Sequence, residues 1–398
     1  MSTPPRFGHA MLQEWAFEPG ITYLNHGTVG ATPRRVLAAQ QRLRDEIERQ
    51  PSRTLLREMT DFRYLNQPGI RSQSRMREAA SAVAEFVGAR ADDLVFVDNA
   101  TAGVNAVLGA IDFRPDDEIV LDDHGYGAVK LIAKHFAART GAHVRIVELP
   151  YPHYERKKIL KAYADAITPR TRLIIADHVC SGSSLVMPVP ELLELAHAAG
   201  VPVLVDGAHA PGAHALELAA LGADWYTGNL HKWAMAPRSC AILYAAPGRQ
   251  AGLHPPVISW GYGQGFAAEF DWVGTRDFTP YLAAPTGIEF MQDMGVAAMR
   301  EYQHMLAWDA AQRLARRWNV ELPVTEHQVG SMVTVPLPAH AGHTPDDAHR
   351  LRLALLVEDR VEVQMHAFKE RLWVRLSAQV YNESADIERL ATVLAHRL

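Results

Sequence analysis

The chain has 398 residues, 48% of them hydrophobic, with 40 Lys and Arg against 45 Asp and Glu and a formal net charge of −5. That length exceeds what one core usually organises, so two domains are expected and a small stapled scaffold is excluded. Mixed charge without a basic stripe offers nucleic acid no electrostatic footprint, and two cysteines, Cys180 and Cys240, are too few for a disulfide framework or a cysteine-rich zinc site.

The first residues lack the basic start and long apolar core of a secretory leader, and no run long enough to span a membrane follows, so a cytoplasmic protein is expected. No HExxH or paired-cysteine pattern appears, so no metal site is expected. ITYLNHGTVGATP, from Ile21 to Pro33, reads as a short extended run ending in a Gly-rich turn. Thr32 as cap and Pro33 at the first position then open an amphipathic helix. The arginine-rich segment 51–69 reads as a helix with a mobile connection around Asn66 to Gly69, and Arg71 to Phe86 as a helix closed by Gly88. In DLVFVDNATAGVNAVLGAI an apolar strand enters a turn at Asn99, Ala100 and Thr101 and leaves as a helix. Such a junction presents free backbone N–H groups to an anion such as phosphate, although many capped junctions bind nothing.

EIVLDDHGYGAVKLIAKHFAARTG repeats strand, turn and helix, with His124 and Tyr126 near the strand exit, where a planar side chain can stack on a ring. HVRIVELP, TRLIIADHVCSG and VPVLVDGAH add strands separated by helical stretches. This alternation predicts right-handed crossovers and a largely parallel sheet, with ligands gathering outside the strands' carboxyl ends. Asn99, Tyr126, Ser181, Asp206 and Lys232 all occupy that kind of position. The stretch from Val203 to Ala236 carries Asp206 at the end of one buried run and His231 and Lys232 just past the next, with a helical-period segment between. An acid and an amine so placed can hold the two ends of a planar cationic ring. Pyridoxal 5′-phosphate is such a ring, needing a carboxylate at its pyridine nitrogen and an amine for its aldehyde. The aromatics Trp260, Tyr262, Phe266, Phe270 and Trp272 suit either a substrate entrance or a subunit interface. The region after Ile288 reads as helices, then strands and a final helix, an α+β unit in which Arg375 lies on the alternating strand WVRLSA. A fixed guanidinium there can grip a carboxylate with two hydrogen bonds, or serve a cross-strand ion pair.

DGAHAPG from Asp206 to Gly212 and GNLHKW from Gly228 to Trp233 resemble the pyridoxal-phosphate-dependent class V aminotransferase superfamily, most closely its isopenicillin N epimerase-like branch, over about Tyr23 to Leu390. The resemblance implies the fold of the type I pyridoxal-phosphate enzymes, an α/β large domain over residues 61–285 and a smaller α+β domain over 286–398. An N-terminal arm and helix over 1–60 would contribute to the small domain and the active site. It implies that Lys232 binds the coenzyme aldehyde, Asp206 its pyridine nitrogen, and His209 and His231 its surroundings. Asn99, Ala100 and Thr101 would serve the phosphate, Tyr126 would stack on the ring with His124 as second choice, and Ser181 would approach the phenolic oxygen. Asn25, His26 and Gly27 would form a substrate wall, and Arg375 would bind the substrate carboxylate. Gly274 and Thr275 would reach the neighbouring subunit's site in a homodimer.

The implied chemistry is removal of the α-proton of a small amino-acid substrate, with Lys232 as the base. Return of a proton on the opposite face, from His26, His124 or Tyr126, gives the epimerase reaction that the nearest branch implies. A C–S lyase or an aminotransferase of the same superfamily is the alternative, and a noncatalytic interaction protein a further one. A cysteine desulfurase needs a nucleophilic cysteine late in the chain, and none follows Cys240.

Overall fold

Short apolar runs, mostly of buried residues, assemble the central sheet of the computed structural model, which describes residues 7–60, 73–150 and 153–398. The connection expected around Asn66 to Gly69 lies outside the described residues. The sheet has seven strands in the order β2-β8-β7-β6-β5-β3-β4. They are β2 (Leu94–Val97), β3 (Glu118–Asp122), β4 (His143–Val147), β5 (Thr171–Asp177), β6 (Val203–Asp206), β7 (Trp225–Asn229) and β8 (Ala241–Ala245). Pairing is parallel from β7 through β6, β5 and β3 to β4, whereas β8 runs antiparallel to β7 and β2. The sheet is therefore mixed. The loop 230–240, which carries Lys232, returns the chain directly beside β7, with no crossover helix to bring it round parallel.

Alternation along the strands explains why these runs are apolar throughout. Val203, Val205, Ile174 and Ala176 pack in one core, while Leu204, Leu173 and Ile175 pack in the other. Helices cover both faces, so every second residue meets one apolar layer and the intervening ones meet the other. The ends of β5 and β6 break this pattern with Asp177 and Asp206, both buried.

A three-stranded antiparallel sheet, β11-β12-β9, stands apart from the first. It comprises β9 (Met332–Pro336), β11 (Gln364–Phe368) and β12 (Arg371–Ser377). The long helix Val296–Trp318 packs on β9 and the helix Pro345–Val357 on β11. Near the amino end, β1 (Thr22–Tyr23) pairs in parallel with β10 (Val361–Glu362), tying that segment to the carboxyl-terminal part.

Two local expectations are corrected. The helix expected to open with Thr32 as cap begins at Arg34 with Pro33 in the cap position, because the Thr32 hydroxyl donates across the fold to the Ala236 carbonyl at 3.4 Å. The expected helical segment after Asp206 shrinks to Leu218–Leu221. Here Gly212 has φ 94° and its missing side chain makes room for the Lys232 loop: a Cβ would lie 2.3 Å from the Trp233 carbonyl carbon. The segment wraps that loop instead of coiling.

Candidate active site

The carboxyl ends of β5, β6 and β7 and the start of the helix Ala100–Gly109 enclose a cavity of about 240 Å³. Larger hollows of about 560 and 1000 Å³ lie elsewhere on the molecule, but this one brings Asp206 and Lys232 together. Lys232 follows β7 by three residues, and its carbonyl is bonded at 3.0 Å to Nε2 of His26. Its Nζ lies 3.2 Å from Nε2 of His209. Burial, reinforced by the Arg375 guanidinium, pushes the amine down to about 7 against the opposing pull of Asp206 and Asp177.

Asp206 ends β6, and its Oδ1 accepts from the Ala208 N–H at 3.0 Å. Burial raises this carboxyl, while the Ala208 N–H and Lys232 lower it. His209 is buried, and its Nδ1 has no hydrogen-bond partner among the described residues. His231 lines the cavity but is anchored through Nδ1 to the Cys240 carbonyl at 2.8 Å.

At the far end Asn99 caps the helix, its side chain accepting from the Ala102 N–H at 2.9 Å. The Ala100 N–H, which sequence reasoning offered to a phosphate, already donates to Oδ1 of Asn229 at 2.9 Å. Thr101 lines the cavity at the same turn. This end has the positive pole of a helix for an anion, with the Ala100 N–H already engaged and Thr101 on the cavity wall beside it.

The structure separates the two planar candidates. Tyr126 lines the cavity at its rim, 49% exposed. His124 is buried behind it, bonded through Nδ1 to Ser183 Oγ at 2.8 Å and packed edge-on against Tyr154 and Phe368. It faces a separate hollow of about 90 Å³.

Arg375 reaches the site from β12 and is buried. Its Nη1 donates to the Ser181 carbonyl at 2.6 Å and its Nη2 to Thr28 Oγ1 at 2.6 Å, while Nε has no partner among the described residues. Burial lowers it only to about 10, so it stays cationic near neutrality. Ser181 and Thr28 both line the cavity, which places the guanidinium just behind the wall they form.

The expected substrate wall of Asn25, His26 and Gly27 is turned inward and does not line this cavity. Asn25 donates to Glu362 Oε1 at 2.6 Å, and the Gly27 N–H donates to Ser377 Oγ at 3.1 Å. His26 has both ring nitrogens engaged, Nδ1 with the Tyr381 hydroxyl at 2.9 Å and Nε2 with the Lys232 carbonyl. Burial pushes it down to about 4, so it is a neutral strut under the lysine loop. Its neighbour Thr28 takes the place on the wall that the sequence assigned to the preceding three. Thr275, expected to reach a neighbouring subunit's site, is exposed on a loop and does not line this cavity. Asp177 and Asn229 also line the site and were passed over in the sequence. The signal was available, since TRLIIAD and WYTGN end as VLVD does, in a polar residue after a buried run.

These residues suit pyridoxal 5′-phosphate. An acid and an amine converge on one small cavity beside a helix amino end, and buried polar atoms on His209 and Asp177 stand unpartnered there. Such atoms are costly unless a ligand or water completes them. Because only a neutral amine attacks an aldehyde, recapture of the coenzyme by stripped protein is expected to accelerate as pH rises through about 7 and to level off above it. Stopped-flow absorbance measures this. A rise that continues towards the ordinary lysine range would contradict the burial of Lys232.

The profile of the aminotransferase class-V family matches residues 32–390. A probable L-cysteine desulfhydrase, chloroplastic, of Arabidopsis thaliana is 32% identical over 94% of this chain and 82% of its own. An isopenicillin N epimerase of Streptomyces clavuligerus is 32% identical over 95% of both chains. The apo structure of a cysteine desulfurase from Thermococcus onnurineus superposes with a TM-score of 0.80 over 100% of this chain and 99% of the other, at 20% identity. That likeness establishes the shared α/β architecture. Among the described residues no helix is long and apolar enough to cross a membrane.

Proposed function

Since this chain belongs to the aminotransferase class-V family and is a pyridoxal 5′-phosphate enzyme acting on an amino acid, we propose that it is a C–S lyase. Its substrate class is small L-amino acids with sulphur on the β-carbon, such as cysteine. Sequence similarity weighs desulfhydrases and epimerases alike, at 32% each. The observation that carries the choice is the one-sidedness of the cavity. Lys232 lines the cavity with a neutral-capable amine, whereas of the three groups offered for the opposite face two are engaged elsewhere and the third is half-exposed. His26 is bonded at both nitrogens, His124 faces another hollow and Tyr126 stands at the solvent rim. We therefore favour lyase chemistry over the epimerase expectation.

Bound pyridoxal phosphate supplies the electron sink that makes the α-proton removable. Arg375 holds the substrate carboxylate, and Asp206 holds the ring nitrogen protonated. Lys232, neutral above about pH 7, takes the α-proton. The C–S bond then breaks with its electron pair on sulphur, which leaves as thiol or sulfide once protonated. The remaining 2-aminoacrylate adds water to give pyruvate and ammonia. Cys180 and Cys240 are buried in the core and burial raises both thiols, so the sulphur leaves without passing to an enzyme thiolate. Thr275, with Gly274, belongs in this proposal to the cavity of a second copy in a homodimer.

Incubating the holoenzyme with L-cysteine and S-alkyl cysteines in deuterated water tests the reading. Thiol, pyruvate and ammonia are expected in equal amounts. Accumulation of α-deuterated D-enantiomer without pyruvate would restore the epimerase, and a keto acid that keeps its sulphur would indicate transamination.

A further inference from the structure

Three carboxylates end three neighbouring strands of the sheet: Asp122 on β3, Asp177 on β5 and Asp206 on β6. Asp177 and Asp206 are direct register partners on a parallel ladder, so their side chains leave the sheet on the same face, and both line the cavity. From the other side, an oxygen of Asp122, an oxygen of Asp177 and the sulphur of Cys180 all lie within 4.8 Å of one another. All three acids are buried. The cations near this row are Lys130, whose ammonium is bonded to the Asp123 carbonyl, Lys369, paired with the Asp123 carboxylate at 3.4 Å, and Lys232, itself driven towards neutrality by burial. Asp123 adds a further negative group beside Asp122. A buried row so short of positive charge cannot ionise in full.

The hydrogen bonds indicate where the retained proton sits. Asp122 accepts from the His124 N–H at 2.9 Å and from the Tyr163 hydroxyl at 2.6 Å. Asp206 accepts from Ala208 and faces Lys232. Donors of this kind stabilise a carboxylate. Asp177 has only the weak thiol of Cys180, and its Oδ2 has no partner among the described residues. Burial, then the charges of Asp206 and Asp122, raise the Asp177 carboxyl well above the usual range.

We infer that Asp177 is a neutral carboxylic acid in the working enzyme and acts as a positioning residue, leaving Asp206 as the one anion facing the ring nitrogen. The inference rests on the reading of Asp206 as the partner of that nitrogen. An ionised Asp177 would instead add a second negative charge and hold both the ring nitrogen and the Lys232 linkage protonated to higher pH.

Infrared difference spectroscopy of holoenzyme carrying carboxyl-labelled aspartate, together with pH titration of the coenzyme's visible absorbance, tests this. Near neutrality the wild type is expected to show the carbonyl band of a buried protonated acid, and Asp177→Asn to lose it. The absorbance midpoint of Asp177→Asn should stay within about 0.3 unit of wild type, because removing a neutral acid removes no charge. Loss of an anion at this distance would lower the midpoint by about one unit or more, and that result, or the absence of the band, overturns the inference. Persistence of the band in Asp122→Asn, Asp206→Asn and Asp271→Asn, the last removing another buried aspartate that burial raises, assigns it to Asp177 even if Asp177→Asn fails to fold. Asp206→Asn is also expected to lower the midpoint by more than about one unit. If it does not, the reading of Asp206 fails, while the infrared band still reports on Asp177.

Discussion

Lys232→Ala is expected to abolish borohydride-stable attachment of the coenzyme and to lower elimination by about 10⁴-fold, the upper range for loss of a positioned proton-transfer group. The amine is buried, near neutral and 3.2 Å from His209. In the proposed mechanism, removing it deletes the aldehyde's partner and the α-proton's acceptor at once. The fold should survive, because the loop is held by backbone and by the His26 strut on the Lys232 carbonyl rather than by the amine. Thermal melting of the stripped variant close to that of stripped wild type would show this. Lys232→Arg should not rescue, since a guanidinium does not deprotonate in this range. Turnover within tenfold of wild type in the alanine variant would remove Lys232 from the chemistry.

The second large effect is expected at Arg375. Arg375→Gln should lower kcat/KM for amino acids by about 10²- to 10³-fold, consistent with the 2–5 kcal/mol cost of truncating one partner of a buried, hydrogen-bonded charge pair. Arg375→Lys should recover little, because a point charge cannot span Ser181 and Thr28 and still present a fork to a carboxylate. An amine substrate with no carboxylate separates recognition from structure. Its low rate should be nearly the same in wild type and variant. If the variant slows that amine as much as it slows cysteine, Arg375 is a brace for the Ser181 loop and not a carboxylate ligand.

Much of the site was legible because its parts sit at strand ends, where a sequence changes abruptly from apolar to polar. VLVD and GNLHKW announce Asp206 and Lys232 in this way, and the DNAT turn announces a helix amino end. The alternation of buried runs with helical stretches likewise made an α/β sheet the natural expectation. Direction was less legible. β8 reads like its neighbours in composition, all of its residues being buried, yet it runs antiparallel because the connection before it is too short for a crossover.

The same limit explains the misplaced wall. Asn25, His26, Gly27 and Thr28 are consecutive in a single helical turn, and nothing in NHGT says which of the four faces the cavity. A turn of helix spreads its side chains around the axis. The neighbours Tyr381, Ser377 and Glu362, all more than 300 positions away in sequence, claim His26, Gly27 and Asn25. His124 and Tyr126 are two residues apart and are separated in the same way, by Ser183 and Phe368.

By itself the sequence determined the fold class, the coenzyme and the acid and amine proposed to hold it, because these depend on local patterning and on side-chain chemistry that no packing changes. Only the tertiary structure decided the mixed direction of the sheet, the inward turn of His26 and the approach of Arg375 from a separate sheet. It alone also brought Asp177 into register beside Asp206. Each of these depends on contacts between residues remote in the chain, where burial and the competition for hydrogen-bond partners, rather than residue type, set what a side chain faces.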